Sequence, residues 1–269
     1  MIARRNLVLS LACLPLAAVF ACSKPDSSTR PGSGSGDPTA TGAVTLNGAG
    51  ATFPYPLYSK WMSEYNKANP TIRINYQSIG SGGGIRQISA KTVDFGATDA
   101  PMSTDEEQKA PAKLHHIPTT LGAVVLTYNL PELSAPLKLS ADAVAGVYLG
   151  SIKKWNDPKL VAENPEAKLP DRPIAVVYRS DGSGTTAVFT DYLAKVSIEY
   201  KDKVGAGKSV KWPVGLGAKG NEGVTGQVKT TPFTIGYVEL AYARQNKLPI
   251  AQVKNKAGKF VEPTATRPW

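Results

Sequence analysis

Three segments share one pattern, a Gly/Ser/Thr-rich loop running into a predicted helix: NGAGATFP (47–54), IGSGGGIRQI (79–88) and SDGSGTTAVF (180–189). The first backbone N–H groups of a helix lack intrahelical partners, and the helix dipole places partial positive charge there. Glycines let an anion approach the backbone closely, and Ser or Thr hydroxyls add donors. Together these features make an anion site. One such loop is explained as well by plain N-capping; three in one chain point to a shared oxyanion. Arg179 ends the apolar run IAVVY, directly before the third loop, where a guanidinium can fork onto a tetrahedral anion. Asp181, two residues later, can hold that arginine in place. Asp99 closes VDFGATD. A carboxylate beside an anion is repulsive unless the anion still has a proton to donate. Phosphate carries one near neutral pH and sulfate does not, so an Asp in the site selects against sulfate. Asp99 can equally be the N-cap of a helix at APMSTDEEQ.

These residues need elements to position them. Pro54 to Asn69 places Leu57, Trp61 and Tyr65 at four-residue steps, which predicts a helix with one apolar face and proline near its start. Ile72–Tyr76 alternates apolar and polar and reads as a strand. Helices are predicted at Gly84–Lys91, at Ser140–Leu149 with Ser140 as cap, and at Thr185–Val196. Strands are predicted at Val93–Phe95, Gly122–Tyr128, Ile174–Tyr178 and Ile235–Leu240, the last followed by a helix. Alternating strands and helices imply an α/β fold with a mostly parallel sheet.

The N-terminus carries an address. MIARRN is a basic n-region, and Leu7 to Phe20 is an apolar stretch too short for a bilayer span of about 20 residues. Residues 1–21 therefore read as a signal peptide. Val19-Phe20-Ala21-Cys22 resembles a bacterial lipobox, which makes Cys22 a lipidation site on the first mature residue; simple cleavage after Ala21 is the alternative. Cys13 leaves with the signal, so the mature chain holds one cysteine and no intramolecular disulfide. Fifteen of the twenty residues from Ser23 to Gly42 are Ser, Gly, Pro or Thr. Such a stretch cannot bury an apolar face and reads as a flexible tether, here 22–45.

Composition closes off other classes. The chain has 269 residues, 42% hydrophobic and 19% charged, with 25 Gly and 21 Pro. That excludes a disordered chain, a collagen and a coiled coil. The net charge of +10 falls to +8 without Arg4 and Arg5 of the signal. The charges are scattered, without a run of five or more Lys/Arg, so no nucleic-acid platform is expected. VGAGKSV (204–210) resembles the end of a P-loop, but the position five before Gly207 is Asp202 where glycine is needed. The two histidines, His115 and His116, are adjacent, and no further His or mature Cys completes a metal site. Ser183 lies in DGSG and lacks the G-x-S-x-G elbow of a serine hydrolase. No catalytic residue, metal or cofactor is expected.

The strings GAGATFP, NYQSIGSGGGIRQI, VDFGATDAP, VYLGSIKKWNDP, IAVVYRSDGSGTTAVFTDYL, VKWPVGLGAKGNEGV and IGYVELAYARQN resemble the PstS-type periplasmic phosphate-binding proteins of high-affinity phosphate ABC transporters. The likeness runs from about Leu46 to the PTAT near Pro263. It implies a two-lobed class II periplasmic binding protein fold with inorganic phosphate in the cleft. By the same resemblance, Thr52 and Phe53 supply a hydroxyl and backbone donors, and Ser81 a hydroxyl and its N–H. Asp99 accepts the phosphate proton. Arg179 makes the charged contact with Asp181 orienting it, and Ser183, Gly184 and Thr185 complete the cage. Gly82 stands where Ser is common in the family, and Tyr178 where a basic residue can occur; neither is expected to change the anion. The implied partners are the permease subunits of a phosphate ABC transporter and, through a lipid at Cys22, a membrane. The implied location is the periplasm. The expected domains are lobe I at 46–121, lobe II at 122–260 and a disordered tail at 261–269. Family members continue for several tens of residues past the PTAT region and return to the first lobe. Lobe I is therefore expected to be incomplete. The competing expectation is a destabilised homologue that serves as a tethered scaffold or has no function.

Overall fold

In the computed structural model, which describes residue 42 and residues 44–263, the β-branched runs form strands and the Gly-rich loops launch helices between them. The signal peptide at 1–21, Cys22, most of the expected tether and the last six residues of the expected tail lie outside the described residues.

The N-terminal lobe comprises β1 (Val44–Gly50), α1 (Tyr55–Ala68), β2 (Ile72–Ser78), α2 (Ser81–Ser89), β3 (Phe95–Ala97) and α3 (Thr104–Gln108). Its sheet has the order β2-β1-β3 and is parallel throughout. Parallel neighbours need crossover connections, and α1 and α2 supply them. β1 already begins at Val44, so Val44 and Thr45, expected in the tether, are strand residues. Their pairing with Ile72 and Arg73 sets that start.

The C-terminal lobe follows with β4 (Val124–Tyr128), β5 (Lys138–Leu139), α4 (Ala141–Leu149), α5 (Pro158–Glu163), β6 (Ala175–Arg179), α6 (Gly184–Val196), α7 (Ile198–Lys203), β7 (Leu216–Ala218), α8 (Gly220–Thr230), β8 (Thr234–Glu239), α9 (Leu240–Gln245), β9 (Gln252–Lys254) and β10 (Phe260–Val261). The main sheet runs β4-β8-β6-β7. β6 is parallel to β7 and β8, whereas β4 joins β8 antiparallel. A small sheet, β10-β9-β5, stands beside it. Val261, expected in the tail, pairs with Val253 instead.

Burial explains which sequence runs looked continuous. All six residues of β8 are buried, as expected for a central strand covered on both faces. One core cluster surrounds the fully buried Trp155, Tyr148, Leu139, Leu160 and Leu193; a second joins Val125, Val177, Val224, Val228 and Val238. The Trp155 indole N–H donates to the Phe233 carbonyl at 3.1 Å. Tyr237 leaves this core toward the cleft. Its hydroxyl accepts from Arg179 N at 3.1 Å and lies 2.7 Å from Thr186 Oγ1, which ties the end of β6 to the start of α6.

The apolar face of α1 is left open. α1 forms where the sequence places it, with proline in its first turn and Glu64 paired to Lys60 and Lys67 at 2.8 and 3.0 Å. Yet none of its residues is buried, and Leu57, Trp61 and Tyr65 are exposed. Trp61 and Tyr65 line an open, mainly apolar groove of about 1420 Å³ together with Leu46, Ile88, Phe95 and Leu121. Among the described residues no element covers this face. The helical period identified the stripe correctly; burial depends on a packing partner, which the period does not encode.

Candidate anion-binding site

Every residue expected at the site sits where a parallel strand ends. β1 ends at Gly50 and leads to Thr52; β2 ends at Ser78 and leads to Ser81; β3 ends at Ala97 and leads to Asp99. From the other lobe, β6 ends on Arg179 itself and leads to Ser183, Gly184 and Thr185 at the start of α6. Carboxyl ends of parallel strands are where α/β sheets bind ligands. Thr52, Ser81, Arg179, Ser183 and Thr185 are all buried.

The lobes meet directly. Gly82 N donates to the Gly182 carbonyl at 2.8 Å. Gly184 N donates to Ser81 Oγ at 3.0 Å, and Asp99 N reaches the same oxygen at 3.3 Å. Thr185 Oγ1 donates to Asp99 Oδ2 at 3.3 Å. At the rim, Lys208 pairs with Glu106 at 2.6 Å. Glycine at 184 is a packing requirement: a Cβ there would stand 2.5 Å from Asp99 Cβ and 2.6 Å from Ser81 Oγ.

Arg179 and Asp181 form a two-pronged pair, Nε to Oδ1 at 2.8 Å and Nη2 to Oδ2 at 2.6 Å. Asp181 also accepts from Gly220 N at 3.0 Å. Burial alone would raise the Asp181 carboxyl, but the hydrogen bonds and charge of Arg179 outweigh it and hold the group below its usual range. Asp181 therefore stays ionised, and Arg179 keeps Nη1 turned toward Thr185 Oγ1 at 3.4 Å.

Asp99 behaves differently. Burial pushes its carboxyl up to about 6, against the pull of Arg179 and the Thr185 hydrogen bonds. The alternative in which Asp99 caps the next helix does not hold. Ser103 caps α3 through a full capping box with Glu106, which matches the S-x-x-E pattern. Asp99 is left facing the cleft. Plain capping does describe Ser183, whose Oγ accepts from Thr186 N at 3.0 Å, although its proton is still free to donate. Thr52 and Ser81 cap nothing: α1 and α2 have no side-chain cap. Phe53 is half-buried, its ring lying against Gly122.

The other sequence signals resolve as surface structure. The VGAGKSV loop positions Lys208 for Glu106, and Gly207 N donates to Thr190 Oγ1. His116 Nε2 accepts from Met102 N at 3.3 Å. Among the described residues no group of three His, Cys, Asp or Glu side chains could hold a metal. Tyr178 stacks on Trp212 with ring centroids 5.4 Å apart.

Sequence reasoning missed a fourth wall. Asn221, in the first turn of α8, is fully buried. It contacts Thr52 at 2.8 Å and Thr185 at 3.3 Å through Nδ2. Tyr242 donates to the Thr52 carbonyl at 2.6 Å. Ser78 and Tyr242 both reach Glu222 Oε1 at 2.9 Å. Glu239, also buried, is pushed up to about 7, mainly by burial and partly by the charge of Asp99. The signal was visible in AKGNEGV, a further glycine-rich loop opening a helix.

A family model described as a PBP superfamily domain matches residues 35–268. The chain belongs to the PBP superfamily. It is 56% identical over 226 residues to the phosphate-binding protein PstS of Pasteurella multocida, covering 84% of this chain and 65% of that one. It is 53% identical over 223 residues to the phosphate-binding protein PstS of Haemophilus influenzae, covering 82% and 66%. The chain thus spans about two thirds of the length of these curated relatives. Among solved structures it is similar to a high-affinity periplasmic phosphate-binding protein (PfluDING) bound with phosphate, with TM-score 0.62 and 25% identity over 82% of this chain and 66% of that one. An ABC-type phosphate transport receptor from Vibrio cholerae shares the fold, with TM-score 0.52 and 18% identity over 80% and 78% of the two chains. The fold is the two-lobed class II arrangement.

Proposed function

We propose that this PBP superfamily protein binds inorganic phosphate in the cleft between its lobes and delivers it to the permease of an ABC transporter for import. One arrangement carries the reading. A ring of N–H and O–H donors and the Arg179 guanidinium surround a single acceptor, the Asp99 carboxylate, which faces Thr185 at 3.3 Å. Donors satisfy the anion's oxygens, and the carboxylate accepts the anion's own proton. Monohydrogen phosphate fits that pattern; sulfate, without a proton near neutral pH, leaves two negative charges face to face. Thr52, Phe53, Ser81, Ser183, Gly184 and Thr185 are the proposed donors, and Asp181 orients Arg179. The names of the relatives and of the structural neighbours support the same ligand.

The site has no activated nucleophile and so binds without chemistry. The proposed location is the periplasm, with a lipid on Cys22 as membrane anchor, and no part in nucleic-acid binding. Calorimetry on the purified protein is expected to show phosphate binding and no measurable sulfate binding. Asp99→Asn is expected to narrow that gap by at least about tenfold. Equal selectivity in wild type and variant would remove Asp99 from the assigned part. Mass spectrometry of membrane fractions is expected to find acylated Cys22; a free N-terminal thiol on a soluble protein would leave simple cleavage.

The open apolar face of α1 favours a second reading, a weakly held N-terminal lobe on a tethered scaffold that no longer binds tightly. A single cooperative melt that phosphate shifts upward would sink it.

A further inference from the structure

The Asn221 side chain has one orientation that satisfies its surroundings. Its Oδ1 lies 3.0 Å from Glu239 N, a group that can only donate. The amide oxygen must therefore face β8, and the NH₂ must face Thr52 Oγ1 at 2.8 Å and Thr185 Oγ1 at 3.3 Å. Asn221 N donates to Thr52 Oγ1 as well, at 3.1 Å. A hydroxyl oxygen has two acceptor positions and one proton. Both positions on Thr52 are taken by groups that cannot accept, so its proton is left to donate elsewhere. Thr185 is fixed in the same way. Arg179 Nη1 and Asn221 Nδ2 donate to it, and its own proton goes to Asp99.

We infer that Asn221 is a positioning residue that turns the Thr52 hydroxyl into an obligate donor and locks that donor across the two lobes. The ligand named here rests on the phosphate reading; the contact itself does not. An uncommitted threonine could present a lone pair to an anion; with both lone pairs of Thr52 taken by Asn221 donors, it can only donate. Asn221 reaches from the first turn of α8 to a loop 169 residues earlier in the chain, so the donor is fixed only while the lobes are together. Closure and donor polarity become one event.

The test is a double-substitution cycle with Asn221→Ala and Thr52→Val, read twice. In phosphate-free buffer the melting temperatures test the contact alone. The double variant is expected to lose less than the sum of the two single losses, because both changes remove the bond from Asn221 Nδ2 to Thr52 Oγ1. Strictly additive losses overturn the inference whether or not the protein binds phosphate. With inorganic phosphate, Asn221→Ala is expected to weaken binding about tenfold in the wild-type background and by less than about twofold in Thr52→Val. Equal losses in both backgrounds overturn it. Wild type that melts with coupling but does not bind phosphate overturns the phosphate reading and keeps the contact. Asn221→Asp preserves shape should the alanine variant not fold. Its carboxylate must accept from Thr52, so the expected result is about tenfold weaker phosphate binding; wild-type affinity overturns the inference.

Discussion

Asp99→Asn in phosphate-free protein should raise stability at alkaline pH and leave it unchanged in acid. Burial lifts the Asp99 carboxyl from 3.8 to about 6, and the charge of Arg179 only partly offsets this. A carboxyl raised on folding holds its proton longer in the native state than in the unfolded one. Native stability therefore falls as pH rises through the interval between the two values. At about 1.36 kcal/mol per unit, a shift of roughly two units corresponds to about 3 kcal/mol. Asp99 keeps some solvent exposure, which brings the expected cost of its ionised form to about 2 kcal/mol. The asparagine side chain has the same shape, can still accept from Thr185, and does not ionise. Glu239 titrates in both proteins and is itself raised partly by Asp99, so removing that charge acts in the same direction. Urea unfolding of both proteins in parallel from pH 4 to pH 8 measures the difference. The variant is expected to match wild type near pH 4, gain as pH passes 6, and lead by about 2 kcal/mol at pH 8. A constant offset at every pH, or wild type more stable at pH 8, would refute the account of Asp99 as a carboxylate strained by burial.

Asp181→Ala leaves the buried Arg179 guanidinium without its two-pronged partner and Gly220 N without an acceptor; urea unfolding should show a loss of about 3 kcal/mol. Because Asp181 is held below its usual range, its contribution is present at neutral pH and disappears as pH falls through the native value, so wild type and variant should converge in strong acid. Gly184→Ala places a methyl group against Asp99 and Ser81. Phosphate affinity by calorimetry should fall by about 10- to 100-fold while circular dichroism stays native. Lys208→Ala removes the rim pair with Glu106; stopped-flow release of phosphate should quicken by about threefold at low salt and match wild type at high salt.

The parts of this fold that could be read in the sequence are those whose causes are local. IAVVY and IGYVEL are apolar runs because β6 and β8 are central strands, and Ser140 announces α4 through its own hydroxyl. Where packing across the chain decides, local reading drifts. α2 begins at Ser81, three residues before the expected start, although SGGG looks like a helix breaker. The glycines are there because the helix lies on β1: a Cβ at Gly84 would stand 2.6 Å from Gly50 Cα and 2.7 Å from the Ala49 carbonyl oxygen. Their helix-propensity cost of about 1 kcal/mol each is set against a contact that no window of sequence contains. The same holds for α1, whose stripe is legible and whose covering is not.

The site divides along the same line. Arg179 and Asp181 are neighbours in sequence, and their pairing could be anticipated. The direction in which each hydroxyl donates could not. Polarity at this cleft descends from groups that have no choice. Glu239 N fixes the Asn221 amide, the amide and Arg179 fix the oxygens of Thr52 and Thr185, and the proton of Thr185 then falls on Asp99. Each step follows from counting donors and acceptors, and the decisive ones, Asn221 to Thr52 and Thr185 to Asp99, join segments far apart in the chain. Residue types in the three loops were enough to expect an anion. Which oxygen donates and which carboxyl accepts depends on Asn221, whose glycine-rich loop AKGNEGV is legible in the sequence but whose bonds to Thr52 and Thr185 are not.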